Sequence, residues 1–310
     1  MRVVVTGGAG FIGANLCARL ARDPDVSDVI AFDDLSTGLR SNLDDVAVTL
    51  AEGDILESGS LDAALDGATA IVHLAARPSV PRSIADPMRS HLVNATGTVE
   101  VLEAARRAGG LHTVVASSSS VYGANPTLPK HELLATRPLS PYGASKLASE
   151  AYALAYQHSF GVPTLAFRFF NVFGPLQPAG HASAAVVPAF VDAALAGRRL
   201  TVHGDGKQSR DFTYVGTVVV VLADAVRRRV VSDEPVNLAF GTRTDLLEVV
   251  ALLAEIVGRR LDTDHVEPRA GDVRHSQADN TALLDLFPDV APIDLREGLR
   301  QTVDWFRRTT

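Results

Sequence analysis

A tyrosine and a lysine four residues apart have the spacing of an acid–base pair. Tyr142 and Lys146 stand at positions i and i+4, so on a helix both side chains lie on one face. A free tyrosine has a pKa of about 10 and is a useful base near neutral pH only when a cation stabilises its phenolate. Lys146 supplies that cation, and the run Ser117–Ser120 after an apolar stretch supplies hydroxyls that could hold a substrate oxygen. The pattern predicts general acid–base catalysis.

A glycine-rich turn near the start of the chain predicts a dinucleotide site. Gly8, Gly10 and Gly13 match G-x-G-x-x-G between a strand candidate and a helix candidate. Such glycines allow a tight turn and a close approach of the backbone to a pyrophosphate, which a helix N-terminus attracts. Asp33 would bind the adenosine ribose hydroxyls and repel a 2′-phosphate, which favours NAD over NADP. Asp54 could touch the adenine, or it could be a turn residue.

Short β-branched runs alternate with longer amphipathic runs, as in βαβ units. The strand candidates are Arg2–Thr6, Val29–Asp33, Val46–Leu50, Ala70–Leu74, Thr113–Ser117, Thr164–Phe169 and Val236–Leu238. The helix candidates are Phe11–Arg22, His91–Ala108, Pro141–Phe160, Val186–Ala196, Thr217–Arg229 and Asp245–Val257. This alternation predicts an α/β fold with a doubly wound parallel sheet. Such sheets bind ligands at the carboxyl ends of their strands, where the residues above cluster.

The alternation loosens after Phe169, where the chain becomes rich in turns. We therefore expect a large nucleotide-binding domain over residues 1–170 and a smaller, interleaved C-terminal substrate domain over residues 171–210 and 241–310. Residues 211–240 should return to the large domain, because Val236–Leu238 has the composition of a buried strand.

Composition excludes several classes of protein. The 310 residues are 46% hydrophobic and carry 29 Lys and Arg against 36 Asp and Glu, a formal net charge of −7. An acidic chain binds nucleic acid and anionic membranes poorly, so neither is expected as a partner. No Cys/His cluster has the spacing of metal ligands, so no metal is expected. Cys17 is the one cysteine and Met1 runs directly into a strand candidate, from which we expect a cytoplasmic protein.

Together these motifs resemble the extended short-chain dehydrogenase/reductases, and among them the UDP-hexose 4-epimerases. The resemblance covers essentially the whole chain and rests on Thr6–Gly13, Asp33–Gly38, His73–Ala76, Ser117–Gly123, Tyr142–Lys146, Arg168–Pro175, Gly204–Tyr214 and Arg269–Asp272. It implies a Rossmann fold, NAD as cofactor, a UDP-sugar as substrate, and a homodimer through the helices His91–Ala108 and Pro141–Phe160. Two departures, Ala14–Asn15 and Gly216–Thr217, should affect packing rather than chemistry.

The resemblance assigns roles to individual residues. It implies that Ser118, Tyr142 and Lys146 are catalytic, with Asn94 near them in a functional or a packing role. The residues implied to bind the cofactor are Gly7, Gly10, Phe11, Ile12, Gly13, Asp33, Asp54, Ile55, Leu74, Ala75, Ala76, Tyr142, Lys146 and Phe170. The residues implied to bind the substrate are Ser118, Tyr142, Asn171, Val187, Arg210, Arg269, Asp272 and Ser276. Arg210 and Arg269 are expected to hold the diphosphate, which suits planar, permanently charged guanidinium groups.

The implied reaction is a 4-epimerisation without net redox change. Tyr142 would take the proton of the C4 hydroxyl while the C4 hydride passes to NAD. The 4-keto sugar would then turn about its diphosphate, and hydride and proton would return on the opposite face.

Three alternatives remain open. A 4,6-dehydratase has the same fold but needs an acidic pair where this chain has Ser119 and Ser120. An epimerase of UDP-glucuronate carries an arginine that Leu176–Ala179 lacks, although Arg82 or His181 could reach the sugar. A non-catalytic NAD-binding regulator would not need the tyrosine–lysine pair.

Ser276 is expected to decide whether N-acetylated sugars fit. Family members restricted to plain hexoses place a tyrosine at one wall of the sugar pocket, and members that accept N-acetylhexosamines place a small residue there. Alignment from Gly271–Asp272 to Ala278–Asp279 puts Ser276 at this position. We therefore expect activity on both plain and N-acetylated UDP-hexoses, unless Ser276 is a loop residue that faces solvent.

Overall fold

The structure of the protein, a computed structural model, describes residues 1–179, 185–268 and 273–309. Up to residue 170 its elements are β1 (Arg2–Thr6), α1 (Phe11–Leu20), β2 (Asp28–Asp33), β3 (Thr49–Glu52), α2 (Ser58–Ala64), β4 (Ala70–His73), α3 (Val80–Ala85), α4 (Pro87–His91), α5 (Gly97–Arg107), β5 (His112–Ser118), α6 (Pro141–Phe160) and β6 (Thr164–Phe169). Beyond residue 170 they are β7 (Val172–Phe173), α7 (Val186–Leu195), β8 (Leu200–His203), β9 (Ser209–Arg210), β10 (Thr213–Tyr214), α8 (Val215–Arg228), β11 (Val236–Leu238), β12 (Thr244–Asp245), α9 (Leu246–Val257), β13 (Thr263–Val266), α10 (Thr281–Leu286) and α11 (Leu295–Thr309). Within the described ranges, no helix combines the length and apolar character that a membrane crossing requires.

Seven parallel strands form the central sheet, in the order β11-β6-β5-β4-β1-β2-β3. The strand order reverses between β1 and β4, which is the switch point of a doubly wound sheet. Thr6 pairs with His73 and Ser118 pairs with Phe169, so these strands end at the same edge. The predicted α/β fold of Rossmann type is confirmed.

Alternate residues of β1 face opposite helix layers. Val3 and Val5 belong to the core cluster that includes Leu16 of α1, whereas Val4 packs in the cluster that includes Leu102 of α5. All three valines are fully buried, because helices cover both faces of the sheet. The continuous apolar run of β1 follows from this double burial.

After leaving the sheet at β6, the chain comes back to it. β7 pairs with β10, β8 with β13 and β9 with β12, in short ladders outside the central sheet. α8 packs against α1, and β11 then pairs with β6, with Asn237 opposite Arg168. This pairing is a physical basis for interleaved domains, while the residue boundaries given above stay a prediction.

Two of the predicted elements differ from the structure by more than two residues at one end. The third strand is Thr49–Glu52 instead of Val46–Leu50, because Thr49 is the residue that pairs with Ile30 of β2. The helix expected over His91–Ala108 is interrupted by a π-helical turn at Leu92–Thr96, between α4 and α5. Both differences depend on contacts with other elements of the fold, and local composition does not predict such contacts.

Candidate active site

The glycine turn between β1 and α1 forms a backbone cradle at a helix N-terminus. Gly7 has φ of +70°, and its N–H donates to the Phe32 carbonyl at 2.8 Å. A Cβ at Gly13 would lie 2.0 Å from the Gly7 carbonyl oxygen, so only glycine lets α1 pack this closely. α1 begins at Phe11, with Gly10 as an N-cap that makes no side-chain hydrogen bond. The N–H groups of residues 11–13 lack helical partners and suit an anion such as a pyrophosphate.

Asp33 ends β2 beside this cradle. Its Oδ2 accepts the N–H of Ala9 and its Oδ1 accepts the N–H of Leu35, both at 2.9 Å. A Cβ at Gly38 would lie 2.9 Å from both carboxylate oxygens, so the following loop closes on this side chain. Burial raises the pKa of Asp33, against backbone hydrogen bonds that favour the ionised form. The remaining lone pairs suit ribose hydroxyls and the charge opposes a 2′-phosphate, so the site fits NAD.

Asp54 and Ile55 follow β3 in a turn. The Asp54 carboxylate accepts the Leu56 N–H at 2.9 Å and lies 3.9 Å from a guanidinium nitrogen of Arg89. Ile55 is buried, and a Cβ at Gly97 would come within 2.5 Å of its Cδ1. Asp54 therefore has a role in the turn. The contacts of Asp54 with adenine and of Ile55 with the cofactor stay predictions.

The segment after β4 runs alongside the glycine cradle. The Leu74 N–H donates to the Thr6 carbonyl at 3.1 Å, and the Ala75 N–H donates to the Thr6 hydroxyl at 3.3 Å. A Cβ at Gly7 would lie 2.8 Å from the Ala75 nitrogen. Residues 74–76, predicted to line the cofactor through their backbone, thus border the cradle.

A buried, uncharged network extends from this segment to α6. His73 Nδ1 bonds to Thr6 Oγ1 at 2.8 Å, and His73 Nε2 bonds to Thr98 Oγ1 at 3.1 Å. The Thr98 hydroxyl donates to the Asn94 carbonyl at 2.6 Å, and Asn94 Nδ2 donates to Ser145 Oγ at 2.9 Å. Burial, and then the charge of the α6 lysine, lowers the pKa of His73 to about 3. These five residues are termed the histidine network. Asn94 is hydrogen-bonded within it, and a functional role for Asn94 stays a prediction.

The predicted catalytic residues come together where β5 meets the first turns of α6. The Tyr142 hydroxyl lies next to the Ser118 hydroxyl at the end of β5, close enough to favour the phenolate. Ser118 Oγ also accepts the Ser120 N–H at 3.1 Å, which orients it. Lys146 Nζ donates to the Ala116 carbonyl at 2.8 Å. One helix face thus holds the tyrosine and the lysine against one strand end.

Burial shifts the pKa of both side chains toward their neutral forms. It raises the pKa of Tyr142, while the hydrogen bond with Ser118 works in the opposite direction. It lowers the pKa of Lys146 to about 8, since the ammonium group is removed from water. The pKa of Tyr142 lies well above neutral pH, so a nearby positive charge must lower it before the phenolate can act as a base.

A second buried network joins α6 to β5, β6 and β11, and the sequence patterns above did not indicate it. Arg168 Nη2 donates to Glu150 Oε1 at 2.7 Å and Arg168 Nε donates to Glu150 Oε2 at 3.0 Å. Arg168 Nη1 donates to the Tyr122 hydroxyl at 2.9 Å, which donates to Asn237 Oδ1 at 2.7 Å. The Ser117 hydroxyl donates to Glu150 Oε2 at 2.7 Å. These five residues are termed the arginine network. The one signal in the sequence is a glutamate one helical turn beyond the lysine.

Several residues predicted to touch ligands are buried in protein. Phe170 is fully buried and packs on Tyr122, with ring centroids 6.2 Å apart, and Val187 lies in the main core. Asn171 has φ of +20°, and its Nδ2 donates to the Asp211 carbonyl at 3.4 Å. The contacts of Phe170, Asn171 and Val187 with cofactor or substrate stay predictions.

Arg210 and Ser276 meet at the short strand β9. Arg210 Nη1 donates to the Ser209 carbonyl at 2.9 Å and to the Arg274 carbonyl at 3.3 Å. The Ser276 N–H donates to the Ser209 carbonyl at 3.0 Å, and its side chain is half-buried. His275 Nδ1 bonds to Ser209 Oγ at 2.9 Å, and burial and the neighbouring arginines lower the pKa of the ring. The other predicted residues on this side, Arg269, Asp272 and His181, lie outside the described ranges.

Comparison with known proteins agrees with this site. The NAD dependent epimerase/dehydratase family matches residues 3–239. The UDP-glucose 4-epimerase of Mycolicibacterium smegmatis is 38% identical over 317 residues, covering 99% of each chain. The UDP-N-acetylglucosamine 4-epimerase of Methanobrevibacter ruminantium, solved with UDP-N-acetylmuramic acid, superposes with a TM-score of 0.93 at 33% identity, covering 100% of this chain and 99% of that one. The UDP-glucose 4-epimerase of Thermus thermophilus, solved with NAD, superposes with a TM-score of 0.90 at 34% identity, covering 100% of both.

The family match spans more than half of the chain, and these relatives cover nearly all of it. The glycine cradle and Asp33 fit the cofactor with which the Thermus thermophilus structure was solved. The chain therefore belongs to the NAD-dependent epimerase/dehydratase family, as an isomerase on the extended short-chain dehydrogenase/reductase fold with NAD as its cofactor.

Proposed function

We propose that this protein is a UDP-sugar 4-epimerase that interconverts UDP-glucose with UDP-galactose, and their N-acetylated counterparts, through a transient 4-keto sugar. The observation that carries the proposal is the pairing of Tyr142 with Ser118 at the carboxyl edge of the sheet, beside the glycine cradle. The 4-epimerases reported above, similar over nearly their whole length, support it.

The cofactor site is formed by backbone and one carboxylate. The glycine cradle would take the pyrophosphate, Asp33 would bind the ribose hydroxyls, and residues 74–76 would line the bound molecule. NAD, when bound there, supplies the acceptor and later the donor of the C4 hydride.

Tyr142 moves the proton. As a phenolate it takes the proton of the C4 hydroxyl, and it returns that proton once the sugar has turned. The ammonium group of Lys146, one helical turn along the same face, favours the phenolate, and a pKa of about 8 leaves most of that lysine charged at neutral pH. Ser118, next to Tyr142, orients the substrate oxygen for the transfer.

The diphosphate serves as the anchor about which the sugar turns. Arg210 lies on β9 beside Ser276, so a phosphate held by Arg210 would place the sugar near that serine. A guanidinium suits this task because it stays charged and offers several donors. Asn171, and Arg269 and Asp272 outside the described ranges, complete the proposed substrate site.

Other reactions of this fold need residues that the chain lacks at the corresponding positions. Ser119 and Ser120 stand where a 4,6-dehydratase has its acidic pair, and the Ser120 backbone is engaged in orienting Ser118. Residues 176–179 carry no cation for the carboxylate of UDP-glucuronate, and an unpaired carboxylate in a closed site is costly. UDP-glucuronate should therefore be a poor substrate.

Product analysis tests the reaction class. The protein is incubated without added NAD with UDP-glucose, UDP-galactose, their N-acetyl forms and UDP-glucuronate. We expect inversion at C4 alone for the first four substrates. A 4-keto-6-deoxy product would show a dehydratase, and turnover of UDP-glucuronate equal to that of UDP-glucose would contradict the argument from residues 176–179.

Substitution of the proposed base tests the mechanism. Tyr142→Phe should lower kcat by roughly 10²–10⁴-fold while NAD and UDP-glucose still bind, because only the proton transfer is removed. Tyr152→Phe, at an exposed tyrosine of the same helix, is the matched control and should keep wild-type turnover. Retention of more than about a tenth of the activity in Tyr142→Phe would remove Tyr142 from the mechanism.

Ser276 is proposed as the wall of the sugar pocket. Ser276→Tyr should abolish turnover of UDP-N-acetylglucosamine and spare UDP-glucose, since the ring fills the space of the acetamido group. Ser276→Ala, the control, should keep both activities. Equal loss of both activities in Ser276→Tyr would mean that this residue does not discriminate between the sugars.

The chain is also proposed to form a homodimer. Ile84, Met88, Leu92 and Tyr152 are exposed, although they are apolar or aromatic. The first three recur every four residues along α3, α4 and the π-helical turn, and α4 packs against α6, which carries Tyr152. A shared apolar face of this kind marks a protein interface. Sedimentation of a monomer at micromolar concentration would contradict the proposal.

A further inference from the structure

Three residues of α6, spaced four apart, contact residues 116–118 at the end of β5. Tyr142 and Lys146 make the first two contacts, and Glu150 makes the third by accepting the Ser117 hydroxyl at 2.7 Å. The same hydroxyl lies 3.3 Å from the Lys146 carbonyl oxygen. Glu150 is therefore tied both to the strand end that presents Ser118 and to the helical turn that carries Lys146.

We propose that Glu150 is a positioning residue for the Tyr142–Lys146 pair. Through the Ser117 hydroxyl it holds α6 in register on β5, through its ion pair with Arg168 it holds α6 on β6, and the pair keeps the charge next to Lys146 balanced. This inference rests on the proposed function, because it concerns how the proposed base reaches its reactive form.

The ion pair has the geometry of a directed contact. Both side chains are 4% exposed, and the guanidinium meets the carboxylate through two hydrogen bonds, which fixes its plane. Arg168 is itself held by the Tyr122 hydroxyl at 2.9 Å, by the Glu132 carbonyl at 3.0 Å, and by the Tyr122 ring, whose centroid lies 4.8 Å from its Cζ. An apolar pair could pack here, but it would not direct a carboxylate to Ser117.

The charges around this part of the site determine in which direction each substitution shifts the pKa of Tyr142. On the β4 side of Lys146 stands His73, which burial keeps neutral. On α6 and β6 stand the balanced charges of Glu150 and Arg168, with Tyr122 and Glu132 next to the arginine. The ion pair thus contributes two opposite charges that nearly cancel at Lys146.

Removal of one charge leaves the other uncompensated. Glu150→Gln leaves the Arg168 cation, which favours the Tyr142 phenolate, whereas Arg168→Gln leaves a carboxylate, which disfavours it. A unit charge about 10 Å away at an effective dielectric constant of about 20 shifts a pKa by about one unit. If the role of Glu150 were purely structural, both variants would lose activity, but the pKa of Tyr142 would not shift in opposite directions.

Two measurements on the NAD-loaded protein test the proposal. The first is kcat for UDP-glucose as a function of pH, and the second is phenolate absorbance during a pH titration, taken as the difference from Tyr142→Phe. We expect both midpoints to move about one pH unit lower in Glu150→Gln and about one unit higher in Arg168→Gln. They should return close to wild type in the double variant. Unmoved midpoints, or movement in the same direction in both single variants, would overturn the proposal.

Two further variants serve as controls for misfolding and for non-specific effects. Glu150→Asp keeps the charge but shortens the reach to Ser117, so kcat should fall several-fold with an unmoved midpoint; a midpoint that moves as in Glu150→Gln would count against the proposal. Glu103→Gln removes a carboxylate that accepts the Tyr156 hydroxyl of α6 at 2.8 Å, and it should shift nothing. If the wild type does not epimerise, the proposed function fails, while the absorbance titration still decides the role of Glu150.

Discussion

The two buried networks that reach α6 hold the same helix with different chemistry. The histidine network runs from Thr6 to Ser145 through neutral groups alone. The arginine network joins β5, β6 and β11 to α6 around the ion pair of Glu150 and Arg168. Near the lysine ammonium a second cation would be repelled, and His73 there is neutral. One helical turn further along α6, the Arg168 cation is kept because the Glu150 carboxylate balances its charge.

The contrast shows in the direction of the pKa shifts. Burial, and then Lys146, lowers the pKa of His73. Burial would also lower the pKa of Arg168, but the bonds and charge of Glu150 raise it overall. A neutral hydrogen bond contributes about 1 kcal/mol to stability, whereas half of a buried ion pair left alone costs about 3–5 kcal/mol. The arginine network should therefore be the more fragile of the two when one member is removed.

The largest loss of stability is expected from Arg168→Met. It leaves the Glu150 carboxylate buried without its cation, so the protein should lose about 3–5 kcal/mol of stability, measured by chemical denaturation. The double variant Glu150→Leu with Arg168→Met removes both charges and should recover most of that loss. A loss below about 1 kcal/mol in the single variant would mean that the two networks are equally tolerant.

A smaller change in stability, whose direction depends on pH, is expected from His73→Gln. The folded pKa of about 3 lies below the ordinary value of 6.5, so the unfolded chain binds a proton that the folded protein does not. The stability that the neutral ring contributes is complete above pH 6.5 and is lost as the pH falls toward 3. Urea denaturation at several pH values should show the variant weaker by about 1–3 kcal/mol at pH 7 and less sensitive to acid. Parallel pH profiles would contradict a buried, neutral His73.

The smallest effect is expected from Thr98→Val. The change removes one hydroxyl that connects His73 and Asn94, so about 1 kcal/mol should be lost in denaturant unfolding. Thr302→Val is the matched control, because the Thr302 hydroxyl is equally buried but bonds only to the Gly298 carbonyl of its own helix at 2.7 Å. If the control loses as much as Thr98→Val, the hydroxyl of Thr98 has no special place in the histidine network.

Features that depend on neighbours along the chain follow directly from the amino-acid sequence. The helix expected over Pro141–Phe160 has those bounds, because Ser140 accepts the Gly143 N–H at 3.1 Å at its start and Gly161, at φ of +68°, ends it. The i, i+4 spacing in α6 likewise placed the tyrosine and the lysine on one face, and the glycine pattern predicted the turn at the N-terminus of α1. Caps, turns and helical faces involve only a few neighbouring residues, so residue type and spacing suffice.

Which distant residues meet, by contrast, depends on how the elements pack in three dimensions. This packing moved the third strand to Thr49–Glu52, where β2 is available for pairing, and it buried Phe170 and Val187 in the core. It also joined Glu150 to Arg168, and Arg168 through Tyr122 to Asn237. These contacts depend on how helices pack on the open sheet, and many side chains of the same type could have met instead. The sequence therefore indicates which chemistry a polar residue on a helix can perform, whereas its hydrogen-bond or ion-pair partner is known only from the folded structure.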